Sequence, residues 1–209
     1  MSPRLCLITP PELVSGGISL DSFLEDFEAA LSAGDVASVL LAVPHGDCEF
    51  LEAAIQALRP IAQNAGAAFL IERKAELVRP LLCDGVQVAA DAKAIKQIRN
   101  RLSQDMIIGA DCGTSRHAAM VAGEAGCDYV ALDTQEPDAI AWWAELMEIP
   151  CIAYGNVSLE NVREIAALGP EFVAADQAVW QHPGGAVEAV EAFNSLLSAK
   201  RKVTKSRST

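Results

Sequence analysis

The sequence predicts an α/β chain folded as a single (β/α)8 TIM barrel. Three observations lead there. Short apolar runs alternate with amphipathic stretches along the whole body of the chain, which fits eight strand–helix units. Glycines at 34, 66, 85, 126 and 169 punctuate the returns from helix to strand. The first turn, ITPPELVSGG, lacks the GxGxxG pattern of the rival architecture, a doubly wound open sheet, which also has fewer strands as a rule. Residues 105–133 show the repeating unit most clearly. Met106–Ala110 is an apolar run, Thr114 or Ser115 can cap a helix, Gly126 stops it, and Tyr129–Leu132 is the next strand with Asp133 at its end. Parallel strands require such a crossover.

The remaining elements follow in order. Leu5–Ile8 is the first strand, ended by Thr9-Pro10-Pro11. A helix starting at Asp21 or Ser22 carries Phe23, Leu24, Phe27 and Leu31 at helical spacing. Ala37–Val43 is the second strand, and a helix from about Glu49 to Asn64 follows. Ala67–Ile71 is the third strand, Lys74–Leu82 a short helix, Gly85–Val88 the fourth strand and Ala92–Leu102 its helix. Beyond the fifth and sixth strands, Pro137–Met147 is a helix whose adjacent Trp142 and Trp143 cannot share a face. Cys151–Tyr154 is the seventh strand, and Ser158 is expected to cap a helix reaching Leu168. Phe172–Ala175 is the eighth strand, and Gly184-Gly185 lead into a last helix, Ala186–Leu197. Residues 1–199 thus form the barrel domain, and 200–209 form a basic tail expected to be disordered.

Composition narrows the function classes. The 209 residues suffice for one well-buried core and are short for two. Hydrophobic content is 51%, suiting strands covered on both faces. No apolar run approaches the ~20 residues of a membrane span, and the N-terminus lacks a signal-type segment. A soluble, cytoplasmic protein is therefore expected. The tail holds five of the 16 basic residues and no acidic one. That leaves 11 basic against 28 acidic residues in the body, a net charge of −17, which argues against sequence-independent nucleic-acid binding. The six cysteines are scattered with no CxxC pair and read as small buried hydrophobes in a reducing compartment.

In such a barrel the site lies at the C-terminal ends of the strands. The residues there are rich in carboxylates and amides, with Arg73 and Arg116 as the main cations. Asp91, Asp111 and Asp133 close three neighbouring strands. Such a set either binds a hard cation such as Mg²⁺, shares protons, or caps the following helices. Gly155-Asn156 and Gly184-Gly185 occupy positions where barrels often bind phosphate on backbone amides, though helix entry alone also explains them. His45, His117 and His182 lie after strands without a spacing that makes them converge on a metal. Cys112 stands near a helix N-terminus, where a thiol can be activated, or is simply buried.

These segments resemble the thiamine-phosphate synthase and thiazole tautomerase superfamily of small barrels. LCLITP is similar to its first strand, FEAALSAGDVASVLL to its first helix and second strand, and DGVQV to its fourth-strand element. MIIGADCGTSRHAAMVAGEAGCDYVAL and IPCIAYGNVSLENVREIAALGPEFVAA resemble its later motifs, so the likeness spans about residues 4–196. The resemblance implies a transferase that joins a thiazole phosphate to a pyrimidine diphosphate and releases pyrophosphate. By the same resemblance Asp91 and Asp111 would hold Mg²⁺, and Asp111 and His117 would be catalytic. Thr9, Arg73, Gln87, Gly155, Asn156, Gln177 and Gly184 would bind substrate or phosphate.

The chain also departs from the pattern. The cationic Gln-x-Arg-x-Lys run after the second strand reads Leu40, Ala42, Pro44, and the Asn-Asp after the third reads Glu72-Arg73. The fourth-strand His reads Gln87, Asp133-Thr134-Gln135 replaces a Thr-x-Thr-Lys, one Gly of the seventh-strand pair survives as Gly155, and the eighth-strand Ser reads Gln177. Two alternatives stand beside the synthase. One is a non-catalytic barrel that binds a small ligand or a partner protein. The other is a different phosphate-ligand enzyme of the same fold. The partners expected are a small phosphorylated ligand and a second copy of the chain.

Overall fold

A computed structural model describes residues 2–46 and 48–198. The basic tail lies outside the described residues. The elements run β1 (Arg4–Ile8), α1 (Glu12–Ser15), α2 (Leu20–Ser32), β2 (Val36–Leu41), α3 (Leu51–Asn64), β3 (Ala68–Glu72), α4 (Ala75–Val78), β4 (Gly85–Ala89) and α5 (Ala92–Arg101). They continue with β5 (Ile107–Asp111), α6 (Arg116–Ala125), β6 (Tyr129–Asp133), α7 (Pro137–Leu146), β7 (Cys151–Tyr154), α8 (Val162–Ala167), β8 (Phe172–Ala175), α9 (Gln177–Trp180) and α10 (Gly185–Ser198). All eight strands are parallel and close in sequence order, with β8 beside β1. The expected (β/α)8 barrel is what forms.

Period-two alternation divides the core into two. Outward residues such as Leu7, Val39, Leu41, Phe69, Ile71 and Val130 pack against the helices. Inward residues make a separate cluster in the bore, built on Cys6, Leu40, Leu70, Tyr129, Ala131, Ile152 and Ala174. Trp143 is buried under α7 with its indole N–H on the Ile149 carbonyl, while Trp142 is half-buried beneath the Arg116 guanidinium.

Three local expectations are corrected. The helix after β7 starts at Val162, not at Ser158, because Asn161 holds the intervening segment in a turn. Its carboxamide oxygen accepts the Ser158 N–H at 2.8 Å and its amide donates to the Asn156 carbonyl, so a turn forms first. The helix expected over Lys74–Leu82 shrinks to one turn, because Pro80 follows closely and Leu82 takes a φ of 57°. The single-turn α1 and α9 are too short to show a helical period and are additional to the expected elements.

The N-terminal end of the barrel repeats one device four times. An acidic residue just before each even strand reaches the preceding odd strand. Asp35 takes the Arg4 guanidinium at 2.6 Å. Asp84 accepts the Phe69 backbone N–H at 2.7 Å, Asp128 that of Ile108 at 2.7 Å, and Glu171 that of Cys151 at 2.9 Å. The last three N–H groups belong to residues with no solvent exposure, so each carboxylate satisfies a buried donor.

Candidate active site at the C-terminal mouth

Two polar bridges cross the bore, one above the other. In the lower bridge, register aligns Gln87 on β4, Gly109 on β5 and Tyr129 on β6. Tyr129 lies over Gly109 and donates its hydroxyl to Gln87 Oε1 at 2.9 Å. Only glycine permits this, since a Cβ at position 109 would stand 2.0 Å from the Tyr129 ring. Gln87 is 8% exposed and lines the bore, and its Nε2 donates to no group among the described residues. Burial holds the Tyr129 phenol well above its ordinary value, so it remains a donor.

In the upper bridge Tyr154 on β7 reaches across β6 and donates to Asp111 Oδ1 on β5 at 2.6 Å. Ala131 is the β6 residue in register with Asp111, and its small side chain leaves the path open. The same Asp111 oxygen accepts the Gly113 N–H at 3.1 Å. Burial and then the bond to Asp111 push the Tyr154 phenol far above 10. The remaining oxygen, Oδ2, accepts no hydrogen bond among the described residues.

The other rim residues surround this pair. Asp91 caps α5, its Oδ1 accepting from Lys93 N at 2.8 Å and Ala94 N at 3.0 Å. That leaves its Oδ2 unengaged among the described residues. Asp133 accepts the Gln135 N–H at 2.8 Å. Arg73 follows β3 with a φ of 64°, a conformation rare outside glycine. Its guanidinium donates to the Val43 carbonyl at 2.8 Å and lies 3.9 Å from Glu72, whose own carboxylate accepts the Val43 N–H. Thr9 is only 1% exposed, and its hydroxyl oxygen accepts the Ala42 N–H at 3.1 Å. Gln177 is exposed as the first residue of α9. His117 is exposed in the first turn of α6, where Ser115 is the cap, and makes no hydrogen bond among the described residues.

Both loops expected to hold phosphate have a carboxylate against them. A Cβ on Gly155, which has a φ of 82°, would lie 3.0 Å from Asp133 Oδ1. A Cβ on Gly184 would lie 1.9 Å from the Glu188 carboxylate. Asn156 takes a φ of 47°, and Thr134 donates its hydroxyl to the Gly155 carbonyl.

Among the described residues no cluster of three or more His, Cys, Asp or Glu side chains could hold a metal ion by itself. Asp91 and Asp111 each keep one carboxylate oxygen free of hydrogen bonds among the described residues. Mg²⁺ is commonly held by one or two carboxylates completed by water and substrate phosphate. Cys112 is buried, and burial pushes its thiol up to about 12, the opposite of an activated nucleophile. From the sequence, Tyr129 and Tyr154 are visible only as the residues that open the sixth strand and close the seventh. A glycine inside IIGAD was the available signal for the close approach of Tyr129.

Fold and site together define a single-domain (β/α)8 barrel with a carboxylate-rich polar mouth, a form suited to a small charged ligand. Comparison with known proteins makes the class specific. Residues 5–179 match the family model described as thiamine monophosphate synthase. A Rhodospirillum centenum protein named thiamine-phosphate synthase is 36% identical over 206 residues, covering 93% of this chain and 97% of that one. Its namesake in Hyphomonas neptunium is 38% identical, covering 94% of both. In fold, the chain is similar to the thiamine phosphate pyrophosphorylase of Pyrococcus furiosus, with a TM-score of 0.79 at 20% identity over 94% of this chain and 96% of that one. The chain belongs to the thiamine monophosphate synthase family.

Proposed function

We propose that this protein is a thiamine-phosphate synthase acting in thiamine biosynthesis. The observation that carries the reading is the 36–38% identity to proteins of that name along nearly the whole of both chains. In the reaction the C–O bond between the pyrimidine methylene and its diphosphate breaks, and the electron pair leaves with pyrophosphate. The thiazole nitrogen lone pair then closes the new C–N bond. No proton needs to move in that exchange, so the residues act by position and charge.

Asp91 and Asp111 would hold Mg²⁺ through their free oxygens, and the bound ion would neutralise charge on the departing diphosphate. Tyr154 fixes Asp111 Oδ1 and leaves Oδ2 without a hydrogen bond among the described residues, so that it would be the oxygen offered to the ion. The Arg73 guanidinium, tethered at one end to the Val43 carbonyl, keeps its other N–H groups for the diphosphate. Gln87, oriented by Tyr129, offers its amide N–H to the pyrimidine. The backbones of Gly155, Asn156 and Gly184, with Gln177 beside them, receive the thiazole phosphate once Glu188 turns away. Thr9 supports this end through Ala42, and His117 stands exposed at the rim as a second polar contact.

A second reading has its own support. The positions expected to clamp the diphosphate carry Leu40, Ala42 and Pro44, and two carboxylates border the phosphate loops. A barrel of that kind could bind a thiamine-related ligand without turning it over. Isothermal titration with the pyrimidine diphosphate and with thiazole phosphate, with and without Mg²⁺, separates the readings when followed by an assay of pyrophosphate release. Metal-dependent binding with release is the expected result. Binding without release would establish the non-catalytic reading, and binding of neither ligand would overturn both.

A further inference from the structure

A cavity in the bore opens at its N-terminal end, away from the C-terminal rim. It measures about 250 Å³ and is walled mainly by Ala37, Ala68, Leu70, Ile107, Ile152 and Phe172. The small residues Ala37 and Ala68 leave room that larger side chains usually fill in barrels of this kind. The cavity's volume exceeds the roughly 150 Å³ that accommodates a benzene-sized molecule in an apolar cavity. The two charged groups at its edge are already neutralised, Arg4 by Asp35 and Asp128 by Arg99. An ion entering would therefore find no free partner, whereas an uncharged molecule would lose little. Ser38 is the main polar group inside, with its hydroxyl on Cys6 Sγ at 3.1 Å.

Tyr129 belongs to both ends. It walls this cavity and also the narrow space of about 20 Å³ above it that Gln87 lines. Its hydroxyl holds Gln87. We propose that the N-terminal cavity is a second ligand site, for a small, uncharged, largely apolar molecule, and that Tyr129 carries its occupancy to Gln87. The second half rests on the assignment of Gln87 to the substrate site. The Tyr129 ring packs on the Gly109 backbone and walls the cavity, so a molecule pressing from below shifts the ring and the amide it orients.

Toluene is the probe. The full chain, labelled with ¹⁵N, is titrated with it while the Gln87 side-chain amide resonance and the melting temperature are followed. Saturable binding with a concerted shift of that amide is expected. Ala68→Phe fills the cavity and should weaken binding by about tenfold or more. Should that variant not fold, Ala37→Leu fills the same space. Tyr129→Phe should keep the binding and abolish the Gln87 shift. Absence of saturable binding, or equal binding by a folded Ala68→Phe variant, overturns the site. Binding that leaves Gln87 unmoved overturns the relay. None of these readouts uses turnover, so failure of the synthase reading is detected separately, as absence of pyrophosphate release.

Discussion

The two ends of the barrel use the same chemical group in opposite ways. At the N-terminal end Asp84, Asp128 and Glu171 each satisfy a buried backbone N–H, and Asp35 holds Arg4. At the C-terminal end Asp91 and Asp111 each commit one oxygen to the protein, and the other accepts no hydrogen bond among the described residues. The carboxylates at the first end hold the fold, whereas Asp91 and Asp111 at the second each keep one oxygen free of such bonds among the described residues. The difference follows from the parallel sheet. Every strand starts at one end, where its first N–H groups need acceptors, and finishes at the other, where loops can be shaped for chemistry.

The sharpest way to break this arrangement lies between the ends. Gly109→Ala drives a methyl group into Tyr129 and should cost about 3 kcal/mol or more by chemical denaturation. Adding Tyr129→Ala should return part of that loss, which a double-mutant cycle measures. Next comes the contrast itself. Asp111→Asn should lower kcat/KM by about 10- to 100-fold while leaving the melting temperature nearly unchanged. Asp128→Ala should do the reverse, costing about 1–3 kcal/mol of stability through the orphaned Ile108 N–H with little change in kcat/KM.

Smaller effects sharpen the same comparison. Glu188→Gln removes the carboxylate that borders Gly184 and should raise affinity for thiazole phosphate a few-fold, read by titration. At the opposite end, the hydrogen bond from the Arg4 guanidinium holds the Asp35 carboxyl below its ordinary range. A carboxylate lowered on folding stabilises above its unfolded value, and that contribution disappears as pH falls through the folded value. The stability difference between the native chain and Asp35→Asn should therefore be constant above about pH 5 and shrink in stronger acid.

Much of this was legible in the sequence, and the reason is local. Strands covered on both faces read as apolar runs, and glycines mark where helices return, so all eight strand–helix units could be placed. Asp91, Asp111 and Asp133 could be assigned to the mouth because each ends or closely follows an apolar strand-like run. The bridges could not. Tyr129 meets Gln87 across 42 positions and Tyr154 meets Asp111 across 43, and no local pattern encodes a contact that skips a strand. The carboxylates that border Gly155 and Gly184 were hidden for a related reason. Loop glycines signal a backbone shape, not what lies against it.

The fourfold device at the N-terminal end has a consequence for how the chain could be rearranged. Each carboxylate ties an odd strand to the even strand after it, so the barrel divides into four blocks, β1–β2, β3–β4, β5–β6 and β7–β8. Circular permutants opened between blocks, at the turn before β3, β5 or β7, keep every tie inside one continuous stretch. Those opened within a block turn one tie into a contact between distant parts of the chain. The first set should refold faster than the second, because closing a long loop must precede the contact it allows.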